Sequence, residues 1–407
     1  MRIAYICADR GVNPAGSGGS ATHVRELVRA LVARGHEVTV FAAAAEGAAS
    51  VLPCQVVDLQ ADRSMAELHT RLQRAARAIG DSSRAPKEIQ GLLLNDALAS
   101  ALSNMSPPAD VVYERQSLWS VAGLGHATRR GIPHLLEVNA PLVEQQKDYR
   151  ELELLSAAAG IEGLLLAGSD RVLVTSPGLV DYARMHGASR RDVRVVPCGV
   201  SASLLAQSSG EARPRDPSRF VVGFLGSLKP WHGIDVLLRA FRKLHAADFC
   251  YRLLIVGDGP EREGVERYLR TNGLDAFSEL TGNVDPSEVP AQLARMDAGV
   301  APYPELPSFY FSPLKLWEYA GAGVPIVASD SGDLPRLFPH REAALLHPAG
   351  SASKLAAQVI KLREDPSLAA RLARRARQIA RAHTWDRIAA RVERIATDAM
   401  RDKAARH

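Results

Sequence analysis

Strand-like and helix-like stretches alternate through this chain in two series, broken once near the middle, and that double rhythm most limits what it can become. The first series opens with "RIAYIC" (2–7), an apolar, β-rich run. Val24, Leu27, Val28, Leu31 and Val32 then recur at helical spacing until Gly35 ends the helix. Further strands are expected at "HEVTVFAA", "ADVVYE", "PHLLEV", "DRVLVTS" and "VRVVPCG". The stretch "SASLLAQSSGEARPRDPSR" (201–219) is rich in Ser, Pro and charge and reads as a linker. "FVVGFLG" then restarts the pattern. It is followed by a helix with Ile234, Leu237, Leu238 and Phe241 on one face and by the strands "RLLIVGDG", "FSELTG", "AGVAPY", "PIVAS" and "AALLHP". Strands separated by helices form right-handed βαβ units with parallel sheets covered on both faces. The expected fold is therefore α/β, with two Rossmann-like domains at 1–200 and 219–380 joined by a linker at 201–218. A last helix within 381–407 is expected to pack back toward the first domain. In such sheets ligands bind beyond the carboxyl ends of the strands, so two facing domains imply a cleft between them.

The length of 407 residues suits two cores, and 46% hydrophobic with 23% charged residues is an ordinary globular composition. The most apolar stretch, "LLSAAAGIEGLLLAG", is broken by Glu162 and glycines and is too short to span a bilayer. The apolar run at the N-terminus is too short for a signal peptide. Cys7, Cys54, Cys198 and Cys250 lie far apart, against a disulfide framework or zinc site and in keeping with a reducing cytoplasm. The net charge of +5 favours anionic partners. No helix-turn-helix, zinc-finger or aromatic-rich basic motif supports nucleic acid. Two Arg-rich amphipathic segments, "ELHTRLQRAARAIG" (67–80) and "LAARLARRARQIARAH" (368–383), either cover a sheet or touch an anionic membrane surface.

"GSGGSATHV" (16–24) fits G-x-G-x-x-A, but eight residues separate Cys7 from Gly16, and no acid follows Phe41 until Glu46. A dinucleotide fingerprint needs its glycines directly after the strand and a ribose-binding acid at the end of the second strand, and both details count against NAD. Gly18 and Gly19 instead read as bare backbone brought close to a ligand, or as a plain turn. In "FYFSPLKLWEYAGAGVP" (309–325), Ser312 is expected to cap a helix with Pro313 at its first position. Lys315 then opposes the helix dipole, which points to an anion bound at the N–H groups near Leu314 and Lys315. Glu318, one turn on, is placed to accept hydrogen bonds from a ribose diol or to pair with Lys315 at the surface. "GSLKPWHG" (226–233) puts Lys229 and His232 at a strand's carboxyl end, Lys229 as a phosphate-neutralising charge and His232 as an added donor or a structural ring. In "YERQSL", Glu114 and Arg115 are acceptor contacts or a salt-bridging pair. His23 either points into the cleft or starts its helix.

These segments, with "GHEVTVF", "SDRVLVTSPGLVDY", "VRVVPCGV", "IVGDGP" and "DAGVAPY", resemble the retaining glycosyltransferases of the GT-B fold, in the group called family four. The resemblance spans almost the whole chain. It implies a nucleotide-diphosphate sugar on the C-terminal domain, touching Gly18, Gly19, Lys229, His232, Gly257, Tyr310, Ser312, Leu314, Lys315 and Glu318. It implies an acceptor glycan, lipid or small molecule on the N-terminal domain near His23, Glu114, Arg115 and Glu137. Lys229, Glu318 and Asn139 are the expected catalytic set. No cofactor beyond the nucleotide sugar is implied, and no metal. The family carries a pair of glutamates near the donor sugar. Glu318 matches the second, while Tyr310 stands at the first. Ser227 and His232 stand where basic residues are usual, and Asn139 where a histidine is common. Two other readings remain open: a sugar-nucleotide epimerase or phosphorylase of the same architecture, and a binding subunit that has lost catalysis.

Overall fold

The computed structural model describes residues 1–60, 67, 70, 71, 73–75, 78, 85–150, 152–207, 216, 218–306 and 309–406. Each series of strands forms one parallel sheet. Strands β1 (Arg2–Cys7), β2 (Glu37–Ala42), β3 (Gln55–Asp58), β4 (Val111–Arg115), β5 (His134–Val138), β6 (Arg171–Val174) and β7 (Val193–Val195) are ordered β3-β2-β1-β4-β5-β6-β7. Strands β8 (Phe220–Leu225), β9 (Tyr251–Val256), β10 (Ser278–Gly282), β11 (Ala298–Ala301), β12 (Ile326–Asp330) and β13 (Leu345–Pro348) are ordered β10-β9-β8-β11-β12-β13. The central strands read as continuous apolar runs because helices bury both faces: Ala4, Tyr5, Ile6 and Cys7 of β1 are all buried. In each sheet the order reverses beside the first strand, between β1 and β4 and between β8 and β11. Such switch points open a crevice at the strands' carboxyl ends.

The expected linker is only partly irregular. Ala202–Gln207 is a helix, and Leu204 is buried against Gly321, where a side chain on Gly321 would crowd Val200 and Leu204. The chain thus enters the second domain along that domain's own helix Leu314–Ala322. Residues 208–215 lie outside the described residues.

At the other end, Pro366–Arg381 packs on Leu314–Ala322, and Trp385–Ala404 then runs along Gly19–Ala33 of the first domain. Asp365 and Thr384 cap these two helices, accepting from Leu368 N at 2.9 Å and Arg387 N at 3.4 Å. The last helix buries Trp385, Ile388, Ala389, Val392, Ile395, Ala396 and Ala399 along one stripe. At its start the Val200 N–H donates to His383 O at 2.9 Å, which stitches the two crossings between domains together.

Of the two Arg-rich segments, 67–80 falls largely outside the described residues. In the other, Leu372, Ala373, Ala376 and Ala380 are buried while Arg371, Arg374, Arg375 and Arg381 face outward. No helix of the described residues is long and apolar enough to cross a membrane.

Candidate functional site

A cleft of about 790 Å3 lies between the carboxyl ends of the two sheets. Gly18, Gly19, His23, Arg115, Asn139, Lys229, His232, Gly257, Tyr310, Ser312, Leu314, Lys315 and Glu318 all line it.

On the first domain, the loop after β1 leads into the helix Gly19–Ala33. Gly18 is extended rather than left-handed (φ −72°), and nothing lies within 4 Å of where its Cβ would be. A Cβ on Gly19 would sit 3.7 Å from Leu314 of the second domain. The glycines thus leave bare backbone facing the cleft. Arg25, itself buried, holds this loop. Its guanidinium donates to the carbonyls of Pro14 (2.9 Å) and Gly16 (3.0 Å) and to Thr22 Oγ1 (3.1 Å). A cation on the apolar face of a helix, next to Val24, was the available sequence signal for Arg25.

On the second domain, Gly226 follows directly on β8 and Gly257 on β9. A Cβ on Gly257 would collide with the Gly226 carbonyl, so glycine is required where the strand tips cross. Lys315 sits on this tip. It is 7% exposed, and its Nζ lies 4.1 Å from the Phe224 ring centroid, with no hydrogen-bond partner among the described residues. Burial pushes its pKa down to about 7, and the Glu318 charge only partly opposes this. Burial likewise pushes the half-buried Glu318 up to about 7, against the pull of Lys315. Two poorly solvated opposite charges at a cleft mark a site awaiting ligands. Lys229 lies nearby, its Nζ 5.1 Å from the Trp231 ring centroid.

Three expectations change. Ser312 does not cap the helix, which begins at Leu314 with Pro313 before it; Ser312 Oγ instead accepts from Cys198 N at 3.0 Å, across the domain junction. His232 is not a donor toward phosphate. Its Nδ1 lies 2.6 Å from the Ser227 carbonyl, which can only accept, so Nδ1 carries the hydrogen. Burial, then Lys315, lowers its pKa to about 3, so the ring is neutral and Nε2 is an acceptor. Glu114 lies outside the cleft, fully buried on the opposite face of β4 from Arg115, where it accepts from His134 Nε2 (2.9 Å) and Ser120 Oγ. Alternation along the strand sends these neighbours to opposite faces.

Behind the cleft wall, Glu137 accepts from Asn139 Nδ2 (2.6 Å), His23 Nε2 (2.9 Å), Arg115 Nη1 (3.1 Å) and Tyr113 Oη. Burial alone would raise its pKa, but His23 and then Arg115 hold it well below the usual carboxylate range. His23 is in turn raised to about 9: burial lowers it, but Glu137 and Cys198 outweigh that. Tyr310 crosses from the second domain: its hydroxyl accepts from Gln145 Nε2 at 2.8 Å and its carbonyl from Ser176 Oγ at 2.6 Å. Gln145, Cys198 and the segment Asn283–Ser287 also line the cleft, and no local pattern marks them.

The chain matches the family model described as glycosyl transferase 4-like domain over residues 18–199 and that described as glycosyl transferases group 1 over 219–365. It is 24% identical to a glycogen synthase of Mycobacterium tuberculosis over 89% of this chain and 86% of the relative. The sucrose-phosphate synthase of Thermosynechococcus elongatus superposes with a TM-score of 0.74 at 20% identity, covering 98% of both chains. The HepE protein of Anabaena, solved with UDP and glucose, gives 0.73 at 17%, covering 98% of this chain and all of that one. With two parallel-sheet domains around one cleft and a family match on each, the chain belongs to the glycosyltransferases of GT-B type.

Proposed function

We propose that the cleft transfers a sugar from a nucleoside-diphosphate sugar to an acceptor hydroxyl with retention at the anomeric carbon. The acceptor is part of a glycan, a lipid or a small natural product. The observation that carries this reading is the buried, unpartnered Lys315 ammonium at the tip of β8, one helical turn from Glu318. A diphosphate seated there gives Lys315 its missing partner, and Lys229 adds a second positive charge. At the start of Leu314–Ala322 the amides of Leu314 and Leu316 already donate to the Ser312 and Pro313 carbonyls, so the Lys315 amide is the donor offered to the ligand there. Glu318 accepts from the ribose diol, and Gly18 and Gly19 close over the ligand from the other domain. Asn139, its Nδ2 bound to Glu137, presents its Oδ1 to the donor sugar. Tyr310 and the acceptor Nε2 of His232 face the same ligand.

In the transfer step, the bond from the anomeric carbon to the diphosphate oxygen breaks while the acceptor oxygen attacks from the same face. The acceptor's proton passes to the departing diphosphate. The two lysines and the Lys315 amide stabilise the charge that develops, so no metal is needed. HepE, a fold neighbour solved with UDP and with UDP-glucose, makes UDP-linked sugars the first to test.

The test is thermal stability against UDP-, GDP-, ADP- and dTDP-linked sugars, followed by product analysis with the donor that stabilises. A ligand that binds the folded state raises its melting point. The reading expects one nucleotide class to stabilise and an NMR coupling that shows the donor's anomeric configuration kept. Inversion removes the retaining assignment. Stabilisation with no consumption across acceptors favours a silent subunit, and stabilisation by none removes the site.

A further inference from the structure

The glycosyl-transfer reading leaves Cys198 unused, although it lines the cleft just past β7. Its Sγ lies 3.4 Å from His23 Nδ1, and His23 Nε2 lies 2.9 Å from Glu137 Oε2. All three side chains are more than nine-tenths buried. Because Nε2 faces a carboxylate, it carries a hydrogen, and Nδ1 is left to take the thiol proton. Nucleophile, base and orienting carboxylate are thus in line. His23 and Arg115 both bond to Glu137, so a ring that takes the thiol proton keeps a carboxylate beside it.

The other thiols lack this setting. Cys7 Sγ donates to the Val12 carbonyl, at 3.7 Å. Burial pushes Cys7 up to about 12 and Cys54 up to about 11, and burial with Asp248 raises Cys250. Among the described residues, which include all four cysteines, Cys198 is the only one with a ring nitrogen against its sulfur.

We propose that Cys198 is a nucleophilic thiol activated by His23 and Glu137, and a site where hydroperoxides modify this protein. The sulfur attacks the distal peroxide oxygen, forming an S–O bond as the O–O bond breaks. The leaving alkoxide or hydroxide takes the proton from His23 Nδ1. Sulfur is oxidised to sulfenic acid and the peroxide reduced to alcohol or water. The residue oxidised is the one whose own N–H donates to Ser312 Oγ, the hydroxyl just ahead of the Lys315 helix. Oxidation therefore lowers transfer, a consequence that rests on the function proposed above, whereas the modification itself does not.

The folded protein is treated with dilute hydrogen peroxide and dimedone, and each cysteine peptide is quantified by mass spectrometry. Exposure alone would label the half-buried Cys54 before the buried Cys198. The proposal expects the reverse, with Cys198 at least about tenfold faster, and H23Q slowing Cys198 about tenfold while Cys54 keeps its rate. Cys54 leading, or Cys198 indifferent to H23Q, overturns the proposal. Turnover is then compared with each protein's own untreated value. The native chain should lose activity in step with Cys198 labelling, and C198A should keep its own. Labelled but undiminished native turnover overturns the inhibitory role alone.

Discussion

Replacing Lys315 with methionine separates binding from folding. Methionine fills nearly the same space against Phe224 and Tyr303, whose rings lie 4.1 and 5.5 Å from Nζ. Lowering the ammonium from 10.5 to about 7 corresponds, at about 1.36 kcal/mol per pH unit, to an upper bound of about 5 kcal/mol held against the empty fold. The sign follows from linkage. Between pH 7 and 10.5 the unfolded chain holds a proton that the folded lysine has released, so native stability rises with pH through that window. Below pH 7 both states are protonated and the full cost is present. Lys315→Met should therefore raise the melting temperature of the empty protein at pH 7 by several degrees and abolish the rise at higher pH. It should also weaken UDP or its counterpart by about 10- to 100-fold, the loss of one charged hydrogen bond of ~1.5–3 kcal/mol. Scanning fluorimetry from pH 6 to 10 with calorimetric nucleotide titration reads both effects. A variant that is less stable when empty and binds nucleotide unchanged would refute the assignment of Lys315 to an anion.

Glu318 should act with the opposite slope: because its folded carboxyl keeps its proton up to about 7, native stability falls as pH rises from 4.5 to about 7. Glu318→Gln should flatten that fall in a pH-resolved melt and weaken nucleoside diphosphate about tenfold, ~1.5 kcal/mol. Glu137→Gln leaves His23 and Arg115 without their shared anion. It should cost ~3–5 kcal/mol in urea unfolding, and a loss under ~1 kcal/mol would mean the cluster is not held by charge. Trp385→Ala, which strips the anchor of the last helix beside the His23 ring, should cost ~3–5 kcal/mol by the same measurement.

The two sheets, the helices between them and the glycine loop were legible in order, because periods of two and of 3.6 are written within a few neighbouring residues. Lys315 and Glu318 stood out for a local reason too: a cation in a helix's first turn breaks a rule that can be checked without any partner. What stayed hidden depends on groups far apart in the chain. Ser312 reads as a cap until Cys198, 114 positions earlier, supplies the N–H that occupies it. His232 reads as a donor until folding turns the Ser227 carbonyl onto Nδ1. Glu114 and Arg115 are known to face apart, yet which of them meets the cleft depends on the helices packed over each side of β4. The Glu137 cluster draws on β4, β5 and the helix Gly19–Ala33, with Trp385 beside it from the far end of the chain. Local periodicity places a side chain on a face. Its charge state and its partners follow from desolvation and from contacts that exist only after the chain has closed on itself.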